Sequence, residues 1–348
     1  MEFALSEDQR MLQDGVRGVL AGAAPLDRIR KIAAGDTGEA AALASALEEF
    51  GLSALSVSEA AGGLGLGALE ACLVQEALGY HVAPARFLAD AVAAKVFAAH
   101  TDVPAAIASG EARFGLALTE LSARRDGAGA AVANGKISGA ALLVQAAEGA
   151  THLIAADADG ALHSVAAEAT KLSPMQTIDR TRSFHKAEFK DAPVLMSAAP
   201  DDGVLAFARL MVAADTLGAA QAMLEKAVAY AKERQQFGRV IGSFQAVKHL
   251  CAEMAAKLEP ARALVWHAAH ALDTGDAESL VMANLAKAHL AEVGTFIART
   301  STEVHGGMGF TDLVGLHYWF KRIGVNRQLF GSPEAARETA AQLQGLAA

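Results

Sequence analysis

The sequence predicts a mostly helical α+β chain in three segments: helices over residues 1–112, a small β domain over 113–200, and a bundle of long helices over 201–348. Three observations predict it. Apolar residues recur at helical spacing up to about residue 110 and again from 203. Between them lie short apolar or alternating runs separated by Gly, Asp and Asn, the pattern of antiparallel strands and turns. Alanine dominates a composition that is 53% hydrophobic but only 5% aromatic, which favours closely packed helices because Ala loses no side-chain entropy in a helix.

Taken in order, Ser6 precedes EDQRMLQDGVRGVL as an N-cap with acids in the first turn. AALASALEEFGL (41–52) has helical spacing and ends at Gly51, a C′ glycine. ALEACLVQEALGY (68–80) and ADAVAAKVFAAH (89–100) repeat the pattern. RFGLALTE, HLIAAD, LHSVAAE and HKAEFKDAPVLM then read as strands, with NGK, ADADG and FKDAP between them as turns. Residues 204–234 contain almost no breaker apart from Gly218, and 244–273 and 277–304 continue likewise, with Pro260 expected to kink or interrupt the second. A thirty-residue helix spans roughly 45 Å, a length that suggests packing against another subunit.

Composition excludes several function classes. A formal net charge of -9 repels phosphate backbones, so nucleic acid is a poor partner. No apolar run is read as reaching the roughly 18–20 residues that span a membrane. The acidic, amphipathic N-terminus is not a signal peptide, and Cys72 and Cys251 fall in helical patterns as core residues. These features together imply a cytoplasmic protein.

Four stretches invite a site reading. GGLGLG (62–67) superficially suggests a dinucleotide loop, but helices precede it, no βα alternation follows, and a flexible interhelical loop explains it better. The eleven histidines include none with Glu three residues earlier, and His267 and His270 are read as helix-surface or core histidines, so no metal is assigned. HGGMGF (305–310) ends a long helix without G-K-[ST]; it is either a C-cap turn or a place where backbone approaches a phosphate or ribose. YAKERQQFGRVIGSFQ (230–245) offers Arg234 for a pyrophosphate, Gln236 and Gln245 for ribose or adenine, and Phe237 for stacking, with Gly238 ending the helix. By composition alone an ordinary helix–turn–helix with a solvated Arg explains that stretch equally well.

The order and wording of six motifs together resemble the acyl-CoA dehydrogenase family: LSVSEAAGGLGLG (55–67), GLALTE (115–120), ISGAALLVQAAEGATHLI (137–154), TIDRTRSFHKAEFKDAPV (177–194), ERQQFGRVIGSFQ (233–245) and EVHGGMGF (303–310). The resemblance covers nearly the whole chain. Ser58 stands at a usual Pro, Glu303 at a usual Gln, and LSARRDGAG replaces the usual continuation after Glu120. It implies an N-terminal helical domain, a central β-barrel-like domain and a C-terminal four-helix bundle. It also implies FAD, bound between domains and across a subunit interface, with Leu118, Thr119, Val144 and Gln145 along the flavin. Arg234, Gln236, Phe237 and Gln245 would hold the adenosine pyrophosphate half from a neighbouring subunit. Glu303, Gly306 and Gly307 would meet it too, Glu303 at ribose or adenine because a carboxylate near phosphates is unfavourable. The implied partners are an acyl-CoA, an electron-transfer flavoprotein as electron acceptor, and further subunits in a homo- or hetero-oligomer.

The family's reaction needs a carboxylate to take the Cα proton of the thioester, donors to its carbonyl, and a flavin as electron sink. Here RQLFGSPEA (327–335) places Phe330 where the family's glutamate stands, and Ala208 occupies the alternative position used by some relatives. Phe330 cannot accept a proton, although its backbone N–H can polarise a thioester carbonyl. Asp215 and Glu334 remain as weak candidate bases. The expectation is an acyl-CoA α,β-dehydrogenase in fatty acid or steroid degradation that works as the base-less subunit of a larger assembly. The alternatives are a flavin-dependent monooxygenase or oxidase on the same fold, or a non-catalytic assembly subunit.

Overall fold

The computed structural model describes residues 4–100, 102–118, 121–122 and 126–347. The N-terminal helices are α1 (Glu7–Ala23), α2 (Leu26–Ala33), α3 (Thr37–Glu49), α4 (Ala68–Tyr80), α5 (Phe87–Val96) and α6 (Val103–Ala108). Ser6 caps α1 in a reciprocal capping box with Gln9. Gly51 follows α3 at φ 79°, the left-handed stop its position suggested.

The central strands are β1 (Phe114–Ala117), β2 (Gly129–Ala133), β3 (Lys136–Gln145), β4 (His152–Ala156), β5 (Leu162–Ala166), β6 (Thr170–Met175) and β7 (Phe184–Ala198). They run β2-β3-β1-β4-β5-β7-β6, and an additional β3–β7 pairing closes five of them into a barrel. Two expectations are corrected. β1 and β4 pair in parallel, so the domain is not purely antiparallel. FKDAP lies inside the fifteen-residue β7, where Asp191 at φ 50° bends the strand without ending it.

The C-terminal helices are α7 (Asp202–Glu233), α8 (Gln245–Thr274), α9 (Ser279–His305), α10 (Leu316–Gln328) and α11 (Pro333–Leu343). α8 runs unbroken through Pro260, whose ring sits on the exposed side where a lost backbone bond is tolerated. Between α7 and α8 a two-stranded hairpin forms from β8 (Gln235–Gln236) and β9 (Arg239–Val240). The helix therefore ends at Glu233, and Gly238, at φ 78°, serves the hairpin turn. Among the described residues one helix is long and apolar enough to cross a membrane, contrary to the reading above: α7, whose most apolar stretch has a mean hydropathy of 1.4. That stretch is 89% buried inside the protein, which explains its apolar character without a bilayer.

α4 and α7 meet by reciprocal glycines. A Cβ on Gly218 would lie 1.8 Å from the Glu76 carbonyl oxygen, and one on Gly79 would lie 2.0 Å from that of Asp215. This close seam joins the N-terminal helices to the bundle and sets the floor on which the buried polar groups are arranged.

Candidate active site

The turn from α10 to α11 is built around Phe330, fully buried and at φ 57°, a conformation that costs a side chain of this size free energy unless its surroundings enforce it. The enforcement is cationic. Arg209, on α7, donates from Nε to the Phe330 carbonyl at 2.8 Å and from Nη1 to Asn284 Oδ1 and Thr339 Oγ1. Lys287, on α9, donates to the carbonyls of Asn326 at 2.7 Å and Arg327 at 3.1 Å, the last of α10. Both cations are almost wholly buried, and neither pairs with a carboxylate among the described residues. Burial lowers the Arg209 pKa to about 10; burial, with Arg209 and Arg327 nearby, lowers that of Lys287 to about 7. Among the described residues the Phe330 N–H donates no hydrogen bond.

The two weak candidate bases do not fill the gap. Asp215 accepts from Arg322 Nε and Nη2 at 2.8 and 2.6 Å, from Asn326 at 2.6 Å and from Gln75 at 2.8 Å. Burial alone would raise its pKa, but Arg322, Arg182 and Asn326 hold it at about 2, so it is a structural anion and no proton acceptor at neutral pH. Glu334 lies in the first turn of α11, exposed, with Arg327 at 3.5 Å and its pKa lowered by Ser332. Ala208 is buried and inert.

The barrel side supplies a cavity of about 430 Å³ between α3, α5 and the strands. Leu116 and Gln145 are in its wall, together with Phe87, Phe184 and small side chains of α3. Leu118 and Val144 are fully buried beside it, while Thr119 lies outside the described residues. Gln145 carries a buried Nε2 with no hydrogen-bond partner, a donor that a flavin's ring oxygens and nitrogens can satisfy. Leu143 and Ala146 flank this pair at φ 53° each, backbone strain of the kind that accompanies binding sites. The carboxylates on the cavity wall, Glu48 and Glu148, are exposed.

The second predicted set gathers at one end of the bundle. α7 and α9 run parallel, and Tyr230 stacks on His305 with ring centroids 4.5 Å apart, so Arg234 and Gly306 leave their helices side by side. Arg234, Gln236, Gln245, Glu303, Gly306 and Gly307 are all exposed there, and Phe237 is 91% exposed at the hairpin tip. Gly306, at φ 57°, has open space where a Cβ would be. No hydrogen bond or ring contact joins this set to the barrel set among the described residues.

Sequence reasoning missed Arg209, Lys287, Leu143 and Ala146. A signal existed for the first two: each is a lone cation within an apolar helical run, LAFARLMVAAD and ANLAKAHLA. For the strained pair there was none, since neither is Gly, Asn or Asp.

Family models described as "Acyl-CoA dehydrogenase, N-terminal domain" and "Acyl-CoA dehydrogenase, C-terminal domain" match residues 6–102 and 202–344. The chain is 31% identical over 334 residues to the acyl-CoA dehydrogenase IpdE2 of Mycobacterium tuberculosis, covering 94% of each. It superposes on a variant of the Tcur3481–Tcur3483 steroid ACAD with a TM-score of 0.88 and 28% identity, covering 97% of this chain and 98% of the other. The ChsE4–ChsE5 complex from Mycobacterium tuberculosis gives the same TM-score, 0.88, at 22% identity and 99% coverage of both chains, a likeness of fold.

Proposed function

The chain belongs to the acyl-CoA dehydrogenase family, and from that premise we propose that it is the base-less, flavin-binding subunit of a heteromeric acyl-CoA dehydrogenase. The observation that carries this reading is that both positions where a family base stands, Phe330 and Ala208, hold buried side chains that cannot take a proton. Asp215 is consumed by four hydrogen bonds, and Glu334 lies exposed beyond the turn.

The cofactor is FAD, which supplies an acceptor for the hydride that leaves the acyl Cβ. In this chain Gln145 is in the cavity wall and its Nε2 is the free donor such a ring requires, while Leu118 and Val144 are buried outside that wall. Arg234, Gln236, Phe237 and Gln245, with Gly306 and Gly307, present an exposed grip for the pyrophosphate and adenosine of a neighbour's cofactor. Arg209 and Lys287 pin the turn that aims the unpaired Phe330 N–H, a donor for a thioester carbonyl oxygen. Removal of the Cα proton then falls to a partner subunit. The solved relative named Tcur3481–Tcur3483 steroid ACAD, at 28% identity, supports the heteromer and favours an acyl-CoA with a bulky ring system as substrate. An electron-transfer flavoprotein is the acceptor this family reading carries.

Expressed alone and loaded with FAD, the chain is expected to show no acyl-CoA oxidation with a dye acceptor, and to support turnover once its partner is added. Robust turnover by the lone chain defeats the base-less reading.

A further inference from the structure

The geometry points to a separate phosphate-binding site in the cleft between α2, the segment joining β6 to β7, and the first turns of α10. The cleft encloses about 210 Å³ and is lined by Arg30, Ile178, Arg180, His317, Tyr318 and Lys321, with Asp179 and two small α2 alanines, Ala33 and Ala34, beneath them. No residue assigned to flavin or thioester lies in it.

The sign of the charge carries the argument. The chain as a whole is acidic, at -9, yet this concavity concentrates cations. The Arg180 and Lys321 side chains make no hydrogen bond or ion pair among the described residues. Asp179, the cleft's own carboxylate, is fully buried and already committed, accepting from Arg182 Nε at 2.8 Å and from the Thr181 hydroxyl at 2.6 Å. Arg30 is anchored by Asp27 at 2.6 Å, by the Leu313 carbonyl at 2.8 Å and by the carbonyl and carboxylate of Asp312, which fix its guanidinium at the rim with its charge paired. Its Nε makes no hydrogen bond but lies 3.7 Å from one Asp312 carboxylate oxygen, and His317 Nε2 meets the other at 2.9 Å. The two unpaired cations, Arg180 and Lys321, on a concave wall concentrate anions, and a phosphate ester offers several acceptor oxygens to them.

The flanks add a second preference. Ile178 is 60% exposed, and the His317 and Tyr318 rings pack with centroids 4.1 Å apart. An apolar and aromatic border beside a cationic floor suits a phosphate carried on a ribose or base, the end of a nucleotide, better than free phosphate. That nucleotide end can belong to a free nucleoside diphosphate or to the coenzyme A portion of a thioester.

The test is calorimetric titration of the FAD-loaded chain, in phosphate-free buffer, with ADP, coenzyme A and inorganic phosphate, beside Arg180→Gln, Lys321→Gln and the double variant. Neither side chain has a partner to lose, so melting temperature and flavin content should not change. The expected result is saturable binding of ADP, coenzyme A or both below millimolar concentration, weakened about tenfold by each substitution and opposed by inorganic phosphate. Binding of both ligands identifies a general nucleotide site, and binding of coenzyme A alone identifies the substrate's own nucleotide end. The readout needs no acyl-CoA oxidation by this chain, so it stands apart from the base-less reading. Absence of saturable binding, or unchanged affinity in the double variant, overturns the proposal.

Discussion

Asp90 shows how one buried group sets a pH dependence. It lies on α5 next to the cavity, 1% exposed, and accepts from the cavity-lining Ser53 at 3.0 Å. Burial pushes its carboxyl up to about 7, only partly opposed by Arg86 and Ser53. Because the folded value lies above the roughly 3.9 of an unfolded aspartate, folding favours the protonated form. That contribution is complete below about pH 4 and is lost as pH rises through 7, at about 1.4 kcal/mol per unit of separation. Asp90→Asn is therefore expected to flatten the dependence of melting temperature on pH between about 4 and 7; parallel curves for variant and parent would refute the assignment. At this scale the sequence was legible where chemistry alone decides, as in the inert Phe330. It was not legible where long-range partners decide. Asp215 looked like a candidate base until Gln75, Arg322 and Asn326, from two other helices, were seen to use up its oxygens.

Helices were read well because their periodicity is local, and the errors came where one residue answers to another element. Gly218 looked like the nearest thing to a break in its run, yet α7 passes through it unbroken. Its smallness is required by α4, whose Glu76 carbonyl would sit 1.8 Å from any Cβ placed there. Gly218→Ala, or Gly79→Ala on the facing helix, is expected to destabilise by at least about 1–3 kcal/mol because helix backbones, not flexible side chains, must move. Chemical denaturation measures this, and a loss below 0.5 kcal/mol, roughly the surface-substitution level, would show that the seam is looser than described. The barrel taught the opposite lesson. Strand composition and turns marked the domain, but the parallel β1–β4 pair and the β3–β7 closure join distant segments, and no alternation pattern records which strands become neighbours.

At the scale of the whole molecule, the end of the bundle is unfinished in a single chain. Phe237 is 91% exposed at the hairpin that follows α7, and Phe310 is 81% exposed just past the end of α9. Arg234 and Gly306 open onto the same end. Scattered exposed apolar side chains need no explanation, but a phenylalanine at a hairpin tip beside Arg234 is what the proposed neighbouring subunit would cover. Burying one such phenylalanine is worth about 1.5–3 kcal/mol of association. Within its own chain Phe237 meets only the edge of Phe244, at 6.1 Å between centroids. Phe237→Asp should therefore leave the melting temperature of the isolated chain within about 1 °C, since surface substitutions away from packed contacts cost little. In the assembly it should do the reverse, removing apolar contact and setting a carboxylate beside a neighbour's pyrophosphate. Native mass measurement should show a shift toward single chains, and the absorbance of bound flavin should fall with it. A variant that keeps both its assembly mass and its flavin would place the subunit contact on another face and detach the Arg234 and Gly306 segments from the cofactor.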